Sequence, residues 1–167
     1  MFSMGFGEIS EFDNSRNRSV LKVQGTLTIG SRTRFGPGSS LVLEPNSELF
    51  IDDNFVNTAR TIISCWNKIC IGKNCLISWN TFITDTDFHS TYNTITQEIH
   101  EPLGETKIGS DVWIGQNAII LKNSSIPNGC IIGANSLVNK TFIQENCLLA
   151  GSPVEVKRYN VSIYRNV

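Results

Sequence analysis

The stretch Lys107-Ile108-Gly109-Ser110-Asp111-Val112-Trp113-Ile114-Gly115-Gln116-Asn117-Ala118-Ile119-Ile120, continued through Ile126 and Ile132 to Val138, puts an aliphatic residue at every sixth position. Gly109, Gly115 and Gly133 directly follow three of these aliphatics. A helix repeats its apolar positions every 3.6 residues and a strand every second one, so a period of six fits neither as a single element. It fits a triangular coil in which each short side sends one aliphatic side chain inward and then turns, the pattern of a β-helix solenoid. The same beat runs through Ile29, Phe35 and Leu41, then Ile71, Ile77 and Ile83, and its next count falls on His89. An imidazole at an expected aliphatic slot breaks a local rule, and such breaks concentrate at functional positions.

Working outward from the repeat divides one domain into segments. Residues 1–26 carry no beat, and their polar run Asp13-Asn14-Ser15-Arg16-Asn17-Arg18 reads as a loop. Residues 27–89 form a first block of coils, with phase slips near Leu41/Leu43 and Ile69/Ile71 that read as insertions absorbed at corners. The beat vanishes over 90–107, an extruded loop of a length that is usually functional in a compact domain. It returns for a second block, 108–153, and Ala150-Gly151-Ser152-Pro153 leads into a short polar tail, 154–167. Because aliphatic side chains fill the interior, any chemistry belongs on an outer surface. Residues just before the repeat aliphatics point outward and stack one coil apart, Trp113 with Ile131 and Ile119 with Leu137. Contiguous exposed apolar surface of this kind predicts an interface, and flat prism sides suit closed cyclic assembly.

The 167 residues are 40% apolar with a formal net charge of −1, which suits one globular domain and gives no reason to expect nucleic acid. The chain has neither a long apolar run nor a charged-then-apolar leader, so the expectation is a cytoplasmic protein without a transmembrane segment. Its five cysteines follow no disulfide or zinc spacing and read as reduced thiols. Cys75 and Cys130 fall four residues after a repeat aliphatic, where the coil takes a small inward residue. A histidine-only zinc site takes three imidazoles and this chain has two, His89 and His100, so no metal is expected.

Several segments resemble the left-handed β-helix acetyltransferases. They are Asp111-Val112-Trp113-Ile114-Gly115, Ile132-Gly133-Ala134-Asn135-Ser136-Leu137-Val138-Asn139-Lys140 and Ala150-Gly151-Ser152-Pro153-Val154-Glu155-Val156-Lys157-Arg158. The resemblance is to sugar and polysaccharide O-acetyltransferases, including galactoside and maltose acetyltransferase. The D-x-D-x-H arrangement within Ile77 to His89 resembles the capsule and lipopolysaccharide branch. The likeness covers roughly residues 27 to 158. It implies left-handed crossovers, an exception to the usual rule for parallel connections. It also implies a homotrimer with intersubunit active sites, acetyl-coenzyme A as co-substrate and His89 as general base. The backbone amide of Gln116 would hold the oxyanion. The coenzyme arm would run past Trp113 and Gly115 to Gly133-Ala134 and Asn139, with Lys140 and Arg158 near its phosphates. Glu155 departs from the galactoside-type pattern, which has an arginine shortly after AG-x-P, so either neighbouring Lys157 compensates or the donor binds differently.

The chemistry points the same way. A sugar hydroxyl attacking a thioester needs a base in the transition state, and a histidine with an ordinary pKa near ~6.5 is mostly neutral at pH 7 and able to return the proton to the leaving thiolate. Asp85 and Asp87 precede His89 by four and two residues. In an extended segment these share a face, so Asp87 is a candidate to orient His89 or bind the sugar, with Asp85 a further substrate contact. The alternative is a turn in which the aspartates bond their own backbone. Trp79 and Trp113 are candidates to pack against a pyranose or the pantetheine arm, or between subunits. His100 receives no catalytic role. The leading expectation is an O-acetyltransferase acting on a saccharide of a surface polysaccharide. An N-acetyltransferase acting on an amino sugar or other small amine, and a non-acetylating β-helix of the carbonic-anhydrase or scaffold type, are the alternatives.

Overall fold

Two- to four-residue runs of aliphatic and β-branched residues, punctuated by Gly, Asn and Asp, are too short to form anything but strands that turn at once. In the computed structural model, which describes residues 1–7, 10 and 17–164, they wind into three parallel sheets. The first face carries Phe2–Met4, Thr33–Phe35, Val56–Asn57, Leu76–Ile77, Trp113–Ile114, Ile131–Ile132 and Cys147–Gly151. The second carries Val20–Val23, Ser40–Leu43, Ile62–Cys65, Phe82–Thr84, Ile119–Ile120 and Leu137–Val138. The third carries Thr26–Ile29, Glu48–Ile51, Lys68–Ile71, Glu105–Ile108 and Ser125–Ile126. The chain visits the faces in rotation, so it is an all-β parallel β-helix, as the six-residue period implied.

Inside the prism, Ile108, Ile114, Ile120, Ile126, Ile132 and Val138 are each no more than 3% exposed. Cys65, Cys75, Cys130 and Cys147 join them in the core. The earlier coils are longer than eighteen residues, and their four-residue strands explain it. Leu41 and Leu43, Leu49 and Ile51, and Ile69 and Ile71 are inward pairs on single strands. What reads in sequence as a phase slip is therefore one longer strand with two inward residues, not an insertion at a corner.

The corners are built by residues in the left-handed backbone region, where asparagine is the best tolerated after glycine. Asn80, Asn117 and Asn135, with φ of 57°, 57° and 55°, stack at the corner between the first and second faces. Asn54, Asn74 and Asp111 stack between the third and first, where Asn54 donates to Asn74 at 2.8 Å and Asn74 to Asp111 at 2.9 Å.

Three boundaries differ from the sequence reading. Phe2–Met4 and Val20–Val23 pair with Thr33–Phe35 and Ser40–Leu43, so the N-terminal segment contributes strands to the solenoid. Positions 13–16 of the expected loop Asp13–Arg18 lie outside the described residues. The expected tail begins with Val154–Tyr159, an antiparallel strand on Cys147–Gly151. Finally, the extruded segment is itself a hairpin: Thr91–Tyr92 pairs with Ile99–His100, a Thr86–Leu103 bridge closes the base, and the Asn93 carboxamide accepts the Ile95 and Thr96 amides at the tip. It ends before Glu105, because 105–107 already belong to the third face.

His89 requires a correction. It does not occupy a core slot but is exposed, and the inward position on the next face belongs to Ile108, which pairs with Ile71. An aliphatic interior offers an imidazole no hydrogen-bond partner, and burying an unpaired polar group is costly.

Candidate active site

The hairpin springs from the corner between the second and third faces, and its root is held by a buried carboxylate. Asp85 is fully buried; its Oδ1 accepts the Trp66 amide and its Oδ2 the Asn67 amide, each at 2.8 Å. The Cys65 thiol lies 3.5 Å from Oδ2, and burial together with the Asp85 charge pushes its pKa up to about 12. The Asp85 carbonyl also accepts the Gly104 amide, which ties the outgoing strand to the returning one. This corrects Asp85 as a substrate contact: both oxygens are used, and the side chain faces into the coil.

Asp87 lies outside the prism. Its amide donates to Pro102 O at 2.9 Å, and its carboxylate forms a 2.7 Å ion pair with Lys122. Lys122 also donates to Glu101 O at 2.8 Å, so one lysine of the next coil grips both limbs of the hairpin. Sequence reading missed Lys122, whose signal is only that it falls one coil after the hairpin root on the same corner. His89 follows Phe88, a bulky residue held at φ 64° with its amide bonded to Thr86 Oγ1. The Phe88 ring meets Trp66 edge to face, centroids 5.7 Å apart. Trp66 was also missed.

The remaining candidates occupy other places. Trp79, Gln116 and Ala134 occupy successive coils of the corner between the first and second faces, where Asn117 N bonds to Trp79 O and Asn135 N to Gln116 O. A Cβ on Gly115 would meet Ala134 N at 2.7 Å, and one on Gly133 would meet the Ala150 Cβ at 2.8 Å, so these glycines let adjacent coils stack. Trp113 points outward on the first face, 36% exposed, with its indole N–H on Ser78 Oγ. It pairs with Ile131 as Ile119 pairs with Leu137, so the expected outward stacks are present.

The expected phosphate cations divide. Asn139 and Lys140 are exposed at the second–third corner, one coil beyond Lys122, and Lys140 lies over the Phe142 ring at 5.4 Å. Lys157 and Arg158 lie on the last strand of the first face. Glu155 is bonded to Lys157 at 3.1 Å, and that bond, with the Lys157 charge and a smaller effect of Lys140, holds its carboxyl below the usual range. Lys157 is thus committed to Glu155. His100 sits on the returning limb of the hairpin.

Within one chain, then, the hairpin group of Asp87, His89 and Lys122 and the corner group of Trp79, Gln116 and Ala134 flank opposite corners of the second face. Among the described residues no cluster of three or more His, Cys, Asp or Glu is placed to hold a metal ion, and no helix is long and apolar enough to cross a membrane.

Three comparisons bear on this arrangement. Residues 105–140 match the family model described as bacterial transferase hexapeptide (six repeats). The chain is 30% identical over 149 residues to the putative lipopolysaccharide biosynthesis O-acetyl transferase WbbJ of Escherichia coli strain K12, covering 84% of this chain and 76% of that protein. Among solved structures, galactoside acetyltransferase in complex with coenzyme A superposes with a TM-score of 0.66 at 26% identity, over 80% of this chain and 64% of that one. The polysialic acid O-acetyltransferase OatWY shares the fold, with a TM-score of 0.63 at 22% identity over 100% of this chain and 92% of that one.

Proposed function

The chain belongs to the bacterial hexapeptide-repeat transferases, and from that membership we propose that it is an acetyl-coenzyme A-dependent O-acetyltransferase acting on a saccharide hydroxyl in surface-polysaccharide (capsule or lipopolysaccharide) biosynthesis. The observation that carries this reading is the hairpin inserted into the coils, which holds His89 outside the packed prism, two residues after the ion-paired Asp87. Neutral His89 takes the proton of the acceptor hydroxyl as its oxygen attacks the thioester carbonyl. The Gln116 amide donates to the oxyanion of the tetrahedral intermediate. As the carbon–sulfur bond breaks, the imidazolium returns its proton to the thiolate, leaving an acetyl ester and free coenzyme A.

Assembly completes the site in this account. The two groups flank opposite corners of the second face, so a homotrimer sets the hairpin of one subunit against the first–second corner of its neighbour. Trp113 with Ile131 and Ile119 with Leu137 supply apolar surface for that contact. The coenzyme arm fits the corner that Gly115 and Gly133 keep narrow, with Lys140 and Arg158 toward its phosphates and Lys157 offset by Glu155. Five free thiols suit a reducing compartment, the cytoplasm.

The test is mass spectrometry of a saccharide panel incubated with acetyl-coenzyme A and protein. An acetyl gain that mild alkali removes is the expected result. An alkali-stable gain on an amino sugar would establish the N-acetyl alternative instead, and no gain on any saccharide would refute the reading.

A further inference from the structure

Trp66 stands at the second–third corner between the strands Ile62–Cys65 and Lys68–Ile71, and its surroundings do not explain its exposure. The indole is 37% exposed and Phe88 is 44% exposed, and neither belongs to the buried core. Yet both are held firmly. The Trp66 and Asn67 amides are clamped by the buried Asp85 carboxylate, and the two rings lock at an interplanar angle of 89°. Phe88 keeps a left-handed backbone, φ 64°, that bulky residues rarely adopt and that persists where surrounding structure imposes it. An exposed aromatic pair, fixed by a buried carboxylate and a strained residue directly before His89, is built to present its rings to something outside the prism.

The polar surroundings identify the occupant. Asp87 directly precedes Phe88 at the hairpin root, and its carboxylate, ion-paired with Lys122, has a side chain that remains 49% exposed and able to accept further hydrogen bonds. A pyranose has the matching character, with patches of C–H groups on its faces and hydroxyls around its rim. An indole and an exposed carboxylate at one hairpin root meet both, and amphipathic aromatics serve this purpose wherever one side of a ligand is apolar and the other wet. We propose that Trp66, braced by Phe88, is the stacking platform for the acceptor sugar ring, with Asp87 receiving one of its hydroxyls. The inference rests on the saccharide acetyltransferase reading and adds the acceptor subsite to it.

The test uses the full chain, acetyl-coenzyme A and a panel of methyl pyranosides, from which the best wild-type acceptor is taken. Trp66→Ala raises the KM for that acceptor about tenfold while the donor KM and the melting temperature stay near wild type, and Trp66→Phe restores part of the loss. Titrating the same pyranoside shifts the tryptophan emission of the wild type, and Trp66→Phe abolishes most of that shift. An unchanged acceptor KM with unchanged emission overturns the platform while leaving the acetyltransferase reading standing. Equal losses in donor KM, acceptor KM and melting temperature also overturn it, since they show a structural role alone. Failure of the wild type to acetylate any saccharide removes the functional reading first, and the platform with it.

Discussion

Replacing Asp85 by alanine removes one side chain and leaves two backbone donors without their acceptor. The Trp66 and Asn67 amides each donate to the carboxylate at 2.8 Å, and the Asp85 side chain is fully buried. A donor left unsatisfied costs about 1–3 kcal/mol. Relief from burying the carboxylate offsets part of this, so the net loss is about 2–5 kcal/mol. For a chain of this size, each kcal/mol lowers the melting temperature by roughly 2–4 °C, which predicts a fall of about 4–20 °C by calorimetry. Asp85→Asn keeps one acceptor but turns an N–H group toward the other amide, and should fall between wild type and alanine. The same clamp fixes the hairpin root, so kcat should drop in both variants before donor KM changes. A wild-type melting temperature in Asp85→Ala would refute the clamp and reopen Asp85 as a substrate contact.

Three further outcomes follow from the structure. The Cys65 thiol is raised to about 12 from 9.0, so the folded chain keeps a proton that the unfolded chain loses; this stability is fully present below about pH 9 and is lost as the pH rises toward 12. Chemical denaturation across that window should show the decline, and Cys65→Ser should flatten it. Light scattering of the wild type should give a three-chain mass, and Trp113→Glu should lower it; a monomeric wild type removes the intersubunit site. Lys140→Ala and Arg158→Ala should raise the donor KM more than the acceptor KM, because the lost contacts are remote from the reacting carbonyl. Unchanged donor kinetics in both variants would put the coenzyme elsewhere.

The coils were legible because one physical constraint, an aliphatic residue per side, repeats without exception from Ile108 to Val138. It was harder to read where strands lengthened, since Leu41/Leu43 and Ile69/Ile71 satisfy the same interior with two residues instead of one. The corner asparagines were a readable signal passed over: Asn80, Asn117 and Asn135 recur at the positions that need a left-handed backbone. Around His89 the alternation argument failed for a definite reason. It assumed an extended chain from Asp85 to His89, whereas the Thr86–Leu103 bridge and the left-handed Phe88 turn the chain within that span. Asp85 therefore points into the coil and Asp87 away from it. Trp66 and Lys122 were invisible because their partners, Asp85 and Phe88 for one and Asp87 and Glu101 for the other, are remote in sequence and become neighbours only when the coils stack.

The most direct test of the account is the turnover of His89→Ala. The residue is exposed at the hairpin root and contributes nothing to the core, so the variant should fold, assemble and bind acetyl-coenzyme A as the wild type does. Its kcat with the best saccharide acceptor should fall by roughly 10²–10⁴-fold, the usual share of a positioned acid–base group. Near-normal turnover in His89→Ala would contradict the assignment of the base.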